Sequence, residues 1–463
     1  MDDLARDLAI APVEPISVAA ELTPSWLQGA LQAAGYAVTI TGLEVEPIGT
    51  GQLSVSLRAR FDIATEVSGL PRSVVVKIPA ADAGLRSLMS QAYLSEIGFY
   101  HELAATVDVD VPACHLVTAA PDGSSFTLIL EDMAPATPGD QVSGATVREV
   151  AQAIRNLAGL HGPRWGDPTL RESRWLRTQG EASNASLAEV YPLLLPQVAE
   201  RLGAALSPED HATLQEVATV LGAFFKARSH RYSLIHGDYR LDNLLFGPDE
   251  RVSVVDWQTL AVGLPARDLA YVIGTSLSVA DRRAAEGDLV RGYWEDLLRR
   301  GVTGYSLAEC FDDYRLGMLQ CPFISVLGMA WGTPTDRGDA MFAAMISRSC
   351  QALRDLGSIA LAAAGVLPQG PSLKCPARYE FRQALSSGRA TLRCWRTHIS
   401  GKSDGKGVTS TAKTSSTAKT TPGGGAGETG EAGVLTCGRS LGRGEAEQLV
   451  HVGRNYPLNG RRL

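Results

Sequence analysis

The chain has 463 residues, 45% of them hydrophobic and 20% charged, ordinary globular values that permit a sizeable core. A formal charge of −7 speaks against nucleic acid as a main partner. The charge is uneven: residues 370–463 hold 15 Lys/Arg against 6 Asp/Glu, so the acid excess lies in the remainder. An acidic body of that kind suits a cationic or neutral small substrate. The seven cysteines form no C-x-x-C pair, which excludes a disulfide framework and a zinc site and fits a reducing compartment. The opening Met-Asp-Asp-Leu-Ala-Arg-Asp-Leu places acids where a secretory signal needs basic residues. No apolar run reaches membrane-spanning length, so the expectation is a soluble cytoplasmic protein without a membrane partner.

In chain order, Thr23-Pro24-Ser25-Trp26-Leu27 signals a helix start, with Leu27, Leu31 and Ala34 on one face. Gly42 to Phe61 alternates as strands do and encloses Ile48-Gly-Thr-Gly-Gln-Leu-Ser54. Glycines there let backbone N–H groups approach phosphate oxygens that a Cβ would keep away. Ser73-Val-Val-Val-Lys-Ile78 is a β-branched strand closed by a lysine, and a helix follows over Leu88 to Ala105. Two further strands, near His115–Ala119 and Phe126–Leu130, flank the turn Pro121-Asp-Gly123.

From Thr146 the hydrophobic period lengthens to that of helices, with Val147, Val150, Ala151, Ile154, Leu157, Ala158 and His161 on one face. His161 reads as a satisfied core histidine. Helices are expected over Ser186–Leu206, Pro208–His230, Ala280–Arg299, Ser306–Cys321 and Asp339–Ala363. Trp331 reads as a core aromatic and Asp312-Asp313 as a solvated acidic face, unless they line an acceptor site. After about Gly365 the composition turns to Gly, Ser, Thr and Lys, with Thr-Ala-Lys-Thr repeated. That composition is expected to stay disordered as a functionally silent tail.

The most informative stretch is Ser233-Leu-Ile-His-Gly-Asp-Tyr-Arg-Leu-Asp-Asn-Leu-Leu-Phe246, followed by Val252-Ser-Val-Val-Asp-Trp-Gln258. Apolar runs on either side hold a polar loop carrying Asp238 and Asn243, and a buried-looking strand delivers Asp256. Phosphoryl transfer to a hydroxyl needs this set. One carboxylate orients the alcohol and takes its proton, while an amide oxygen and a second carboxylate hold Mg2+ against the phosphates.

His236-Gly237-Asp238 with Asn243 resembles the catalytic loop of the aminoglycoside phosphotransferase and choline kinase superfamily, relatives of the protein kinases. Asp256-Trp257-Gln258 and Gly-Thr-Gly-Gln-Leu-Ser resemble its ecdysteroid-kinase-like branch. The resemblance covers residues 23–365 and implies an α+β, protein-kinase-like bilobal fold. It would have a small antiparallel-sheet lobe over residues 1–133, a larger helical lobe over 134–365, and the tail over 366–463. It implies Asp238 as catalytic base, with Asn243 and Asp256 as Mg2+ ligands. ATP would be held by Gly49, Gly51, Gln52 and Ser54 over the nucleotide, and by Lys77 with Glu96 as its partner. Glu131 and Met133 would offer their backbone to adenine at the hinge. Asp268 would tie its helix to the catalytic loop. The expected activity is ATP-dependent phosphorylation of a small-molecule hydroxyl; the alternative is a catalytically silent nucleotide-binding module.

Overall fold

A computed structural model describes residues 13–49, 54–120, 125–178 and 182–364. The expected tail therefore lies outside the described residues. Helix α1 (Pro24–Ala33) starts where expected: the Thr23 hydroxyl accepts from Trp26 N, and Pro24 needs no hydrogen-bond partner at the first turn. Strands β1 (Ile40–Ile48), β2 (Ser54–Ile63), β3 (Ser73–Pro79), β4 (Cys114–Ala119) and β5 (Phe126–Glu131) form one five-stranded sheet of order β1-β2-β3-β5-β4. Every pairing in it is antiparallel.

The two faces of this sheet divide by residue parity. Val74, Val76 and Ile78 of β3 join Leu57, Ala59 and Phe61 of β2 in a core beneath Leu27, Ala30 and Leu31 of α1. The intervening positions, Lys77 among them, therefore face away from α1. On that side Phe126, Leu128 and Leu130 of β5 pack with Tyr93, Leu94 and Ile97 of α2 (Ala83–Gly98). Period-two alternation thus aims Lys77 at the helix that carries Glu96. The predicted helix over Leu88 to Ala105 begins earlier, at Ala83, and ends in a π turn (Phe99–Leu103) and a 3-10 turn (Ala104–Thr106).

The remainder is mainly helical. Short strands β6 (Thr137–Pro138), β7 (Arg177–Thr178), β8 (Ser233–Ile235), β9 (Leu244–Phe246), β10 (Val252–Val254) and β11 (Ala261–Gly263) form two three-stranded sheets, β10-β9-β6 and β7-β11-β8. Helices α3 (Val147–His161), α4 (Ala182–Leu202), α5 (Pro208–Lys226), α6 (Ala266–Ser276) and α7 (Val279–Arg299) surround them. Helices α8 (Leu307–Gly317), α9 (Gln320–Trp331), α10 (Asp336–Leu356) and α11 (Ser358–Ala364) complete the lobe. Helix α3 opens with a reciprocal Thr146–Glu149 capping box and buries Val150, Ile154, Leu157 and Ala158, as its periodicity predicts. Helix α6 is buried along its whole length, which makes it the axis of the lobe.

Two expected helices divide. The stretch 306–321 breaks after Gly317, where α8 presses so closely on α6 that a Cβ would lie 2.4 Å from the Ala266 carbonyl oxygen. The stretch 339–363 breaks at Gly357, whose left-handed backbone (φ 62) ends α10. Asp313 is not on a solvated face: it is fully buried, accepts from both Arg231 (2.9 Å) and Tyr305 (3.1 Å), and so knits α8 to the segment before β8. Trp331 is not a core aromatic either; it is 55% exposed at the end of α9. No helix among the described residues is long and apolar enough to cross a membrane.

Gly159 is a second close-approach glycine. Asp108 N donates to its carbonyl at 3.0 Å, and a Cβ would lie 2.7 Å from the Asp108 oxygen. Gly159→Ala is expected to cost about 1–3 kcal/mol by overpacking. The measurement is the urea midpoint, which should fall with an unchanged slope.

Candidate active site

Strand β8 is fully buried and delivers His236-Gly237-Asp238 into a loop that β11 and α6 hold from behind. Gly237 has φ +85, and a Cβ would lie 2.7 Å from the Thr259 carbonyl, so only glycine fits. The buried Asp268 carboxylate clamps the loop: it accepts from His236 N at 2.6 Å and from Gly237 N at 2.9 Å. His161 Nε2 lies 3.3 Å from the same carboxylate, and its Nδ1 lies 2.7 Å from the Tyr293 hydroxyl. A carboxylate only accepts here, so Nε2 carries the proton and Nδ1 accepts from tyrosine. His161 is thus the satisfied core histidine the sequence suggests, and it supports the loop through Asp268. His236 sits behind the loop, its Nε2 3.1 Å from the Val255 carbonyl and its ring edge-on to Trp257.

Asp238 Oδ2 accepts from Arg240 Nε and from Asn243 Nδ2, each at 3.0 Å. Asn243 Nδ2 also donates to the Asp238 carbonyl at 3.0 Å, which holds the side-chain amide across the loop. Val255 N donates to the Asn243 carbonyl at 3.1 Å, so the segment before Asp256 is tied directly to the loop. Asp256 itself adopts a left-handed backbone (φ 70, ψ 70), which turns its side chain out of the strand direction.

The second half of the site is a buried polar chain. Lys77 Nζ donates to Glu96 Oε1 at 2.7 Å and to Asp256 Oδ1 at 3.0 Å. Lys77 and Glu96 are almost wholly buried, while the Asp256 side chain stays 39% exposed towards the cleft. Burial alone would lower the Lys77 pKa, but the charges of Asp256 and Glu96 outweigh it and raise the pKa. Burial would raise the Asp256 pKa, and the ammonium more than reverses that. For Glu96 burial wins and its carboxyl is pushed up. Gln258 Nε2 closes the chain, donating to Glu96 Oε2 at 3.2 Å and to Ser54 Oγ at 3.1 Å. Trp257 stacks face to face on Phe99 beyond α2, 3.5 Å between centroids.

Sequence reasoning passed over Gln258 and Arg240. The signal for Gln258 was its place two residues after Asp256; a polar side chain following a buried tryptophan needs a partner. Arg240 is the first rung of an ion ladder. It bonds Asp238 and Asp242, and Arg337 at the start of α10 bonds Asp242 (3.1 Å) and lies 3.5 Å from Asp140. Burial would lower the Arg240 pKa, but Asp238 and Asp242 raise it. The acids nearest Asp238 are therefore already charge-compensated, so the acidic surplus of the body does not by itself mark an acceptor site.

Of the remaining expected nucleotide contacts, Gly49 has the left-handed backbone of a tight turn (φ 72), and Gly51 and Gln52 lie outside the described residues. Ser54 is buried and spends its hydroxyl as acceptor for Gln258. Where the adenine contacts are expected, Glu131 N donates to the Ala113 carbonyl and the Met133 carbonyl accepts from Ala136 N. Asp132, between them, accepts from Arg58 (2.8 Å) and Ser73 (2.6 Å) and ties the end of β5 to β2 and β3. No group of three or more His, Cys, Asp or Glu side chains among the described residues is placed to hold a metal ion.

A lysine paired with a helix glutamate, facing a loop aspartate and asparagine and a strand-end aspartate, defines the class as a kinase-like phosphotransferase. The chain belongs to the phosphotransferase enzyme family, whose sequence profile matches residues 59–304 and so just over half of it. It is 48% identical over 94 residues to acyl-CoA dehydrogenase family member 10 of Mus musculus, a segment that is 20% of this chain and 8% of that one. It is 35% identical over 69 residues to family member 11 of Homo sapiens, 14% of this chain and 9% of the relative. The matches thus span less than a tenth of these curated relatives. Among solved structures it is similar to an ethanolamine kinase of Plasmodium vivax, at 12% identity and TM-score 0.42 over 70% of this chain and 83% of that one. It is also similar to a microcompartment-associated aminopropanol kinase, at 19% identity and TM-score 0.39 over 72% and 99%.

Gln258→Glu tests the buried chain. The new carboxyl would meet Glu96 Oε2, and two such groups can stay in contact only while they share a proton. The shared proton has a raised folded-state pKa, so its contribution to stability is present at low pH and lost as pH rises. The variant should match wild type near pH 5 and fall behind by up to about 1.4 kcal/mol per pH unit above it. Urea midpoints at pH 5 and pH 8 measure this; a deficit that does not depend on pH would place the carboxamide elsewhere.

Proposed function

We propose that the protein transfers the γ-phosphoryl group of ATP to a hydroxyl of a small molecule, with Mg2+ as the companion ion. The observation that carries the reading is the Lys77 ammonium, held between Glu96 at 2.7 Å and Asp256 at 3.0 Å. A buried lysine fixed in this way is positioned to meet a polyanion, because its own counter-charges are already rigid. The Gly49 turn stands at the end of β1, where backbone N–H groups would cover the phosphates.

The oxygen donors fit Mg2+. That ion takes one or two carboxylates plus substrate phosphates in place of an all-protein cage, which agrees with the partly exposed Asp256 carboxylate and the Asn243 carboxamide on the loop tied to the segment before it. Asp256 and Asn243 would hold it. When bound, it would neutralise charge on the phosphate oxygens.

The rest is the work of the chain. Lys77 would anchor the α and β phosphates, and Glu96 and Gln258 would keep it aimed. Asp238 would accept a hydrogen bond from the acceptor alcohol and take its proton. The alcohol oxygen bonds to the γ-phosphorus as the bond to the bridging oxygen breaks, and ADP departs with the electron pair. Arg240 and Asn243 hold the Asp238 carboxylate in one orientation, so the base need not reorganise during transfer. The motif Asp256-Trp257-Gln258 supports placement near the ecdysteroid-kinase-like branch, and the acceptor is then an alcohol on a small molecule.

Thermal unfolding with ATP and Mg2+ tests the reading. At a nucleotide concentration 100 times Kd the folded state gains about 2.7 kcal/mol, and the midpoint should rise accordingly. Asp256→Ala should abolish the Mg2+-dependent part of the rise. With an acceptor found by screening for ADP release, Asp238→Ala should lower turnover by about 10²–10⁴-fold without weakening nucleotide binding. Absence of any shift at millimolar nucleotide would overturn the proposal. A shift with no turnover on any acceptor would favour a silent nucleotide-binding module.

A further inference from the structure

The geometry points to a second ligand site on the helical lobe, a small oxyanion site built around Arg267. This guanidinium lies in the first turn of α6, 2% exposed, and its Nε and Nη1 have no hydrogen-bond partner among the described residues. Nη2 reaches the Phe224 carbonyl only at 3.5 Å. Its neighbour Asp268 does not pair with it, because that carboxylate is occupied by His236 N, Gly237 N and His161. The aromatic rings of Phe224 and Phe225 lie 4.2 and 5.6 Å from the guanidinium carbon and offset part of the burial. They leave the two N–H edges bare. Burial pulls the pKa down to about 9, so the group remains charged at neutral pH.

A buried cation with two unfilled donors needs an acceptor, and the surroundings favour an anion. Arg267 forms the floor of a crevice with Phe225, Val262, Gly263 and Leu264, and Arg171, Arg228 and Arg231 stand around it. Asp313 and Glu309 take up the charges of Arg228 and Arg231. Arg171 stacks on Tyr232 at 3.5 Å and donates to the Ser229 carbonyl. Among the described residues no carboxylate is ion-paired with Arg171 or Arg267; the charge of the neighbouring Asp268 acts on Arg267 without a hydrogen bond to it. Arg228 at its mouth has a left-handed backbone (φ 56), an arrangement that costs energy for a side chain of this size. The free volume is about 20 Å3, room for one water-sized group, such as one oxygen of a carboxylate or of a small oxyanion whose remainder faces the mouth. Planar guanidinium N–H groups match the oxygens of either a tetrahedral oxyanion or a carboxylate. The site is behind the catalytic loop and does not depend on the nucleotide reading.

The test uses the full chain, with sulfate and acetate as probes at constant ionic strength in a chloride background. Wild type should show a saturable rise in unfolding midpoint with at least one of them. In Arg267→Gln the apparent affinity should fall at least tenfold, and in Arg171→Ala, a change at the exposed mouth, several-fold. Crystals soaked in selenate or bromide should show anomalous density against Arg267 Nε and Nη1, a readout that needs no variant to fold. It also separates this site from any anion bound near Lys77. Equal midpoint rises in wild type and both variants would overturn the proposal. So would an ordered water in place of the anion in the soaked crystals.

Discussion

The site depends on one electrostatic constraint: an ammonium placed inside the protein must be compensated where it stands. Lys77 reaches that position because strand parity turns it away from the α1 core. Its charge then obliges Glu96 and Asp256 to converge on it from a helix and from a loop distant in sequence. Gln258 supplies the last donor that Glu96 needs and carries the chain on to Ser54 at the start of β2. Each of these elements is therefore located by the same few hydrogen bonds, and a shift in one unpairs the others. A site assembled in this way comes with its geometry already set, which suits a reaction that rests on positioning.

A buried carboxylate performs the corresponding task on the His236-Gly237-Asp238 loop. Asp268 receives two successive backbone N–H groups and a histidine, and the histidine is held in turn by Tyr293. Because α6 is buried along its length, that carboxylate has a rigid platform. Gly237 permits the tight course of the loop against Thr259, and Asn243 fixes its far end. The polar loop and its supports form one satisfied network, so Asp238 can remain at the cleft without loosening the core.

The arginines of the helical lobe follow two patterns. Arg240 and Arg337 alternate with Asp238, Asp242 and Asp140, so charge is balanced rung by rung beside the cleft. Arg267 lies behind the loop with aromatic faces and no carboxylate hydrogen-bonded to it. The contrast reflects environment: a ladder near solvent costs little, whereas an uncompensated buried cation is a standing demand for a partner.

Much of the candidate site was legible along the chain, because its spacing is local. Asp238 and Asn243 share one loop, Asp256 follows a short apolar strand, and Lys77 closes a β-branched run whose alternation already implies its direction. Helix α3 was readable for the same reason, since its apolar period and Thr146–Glu149 cap lie within one segment. What sequence alone misjudged depends on partners far away. Asp313 reads as a surface acid until Arg231, 82 positions earlier, is brought against it. The need for glycine at 317 is set by the backbone of Ala266, and Gln258 acquires a role only when Ser54 and Glu96 meet it. Local composition and period thus determined which segments become strands and helices and which loop carries the candidate site residues. Only the tertiary structure decided which polar groups would be buried together, because compensation of buried charge is settled by contacts between segments that carry no trace of one another in their own sequence.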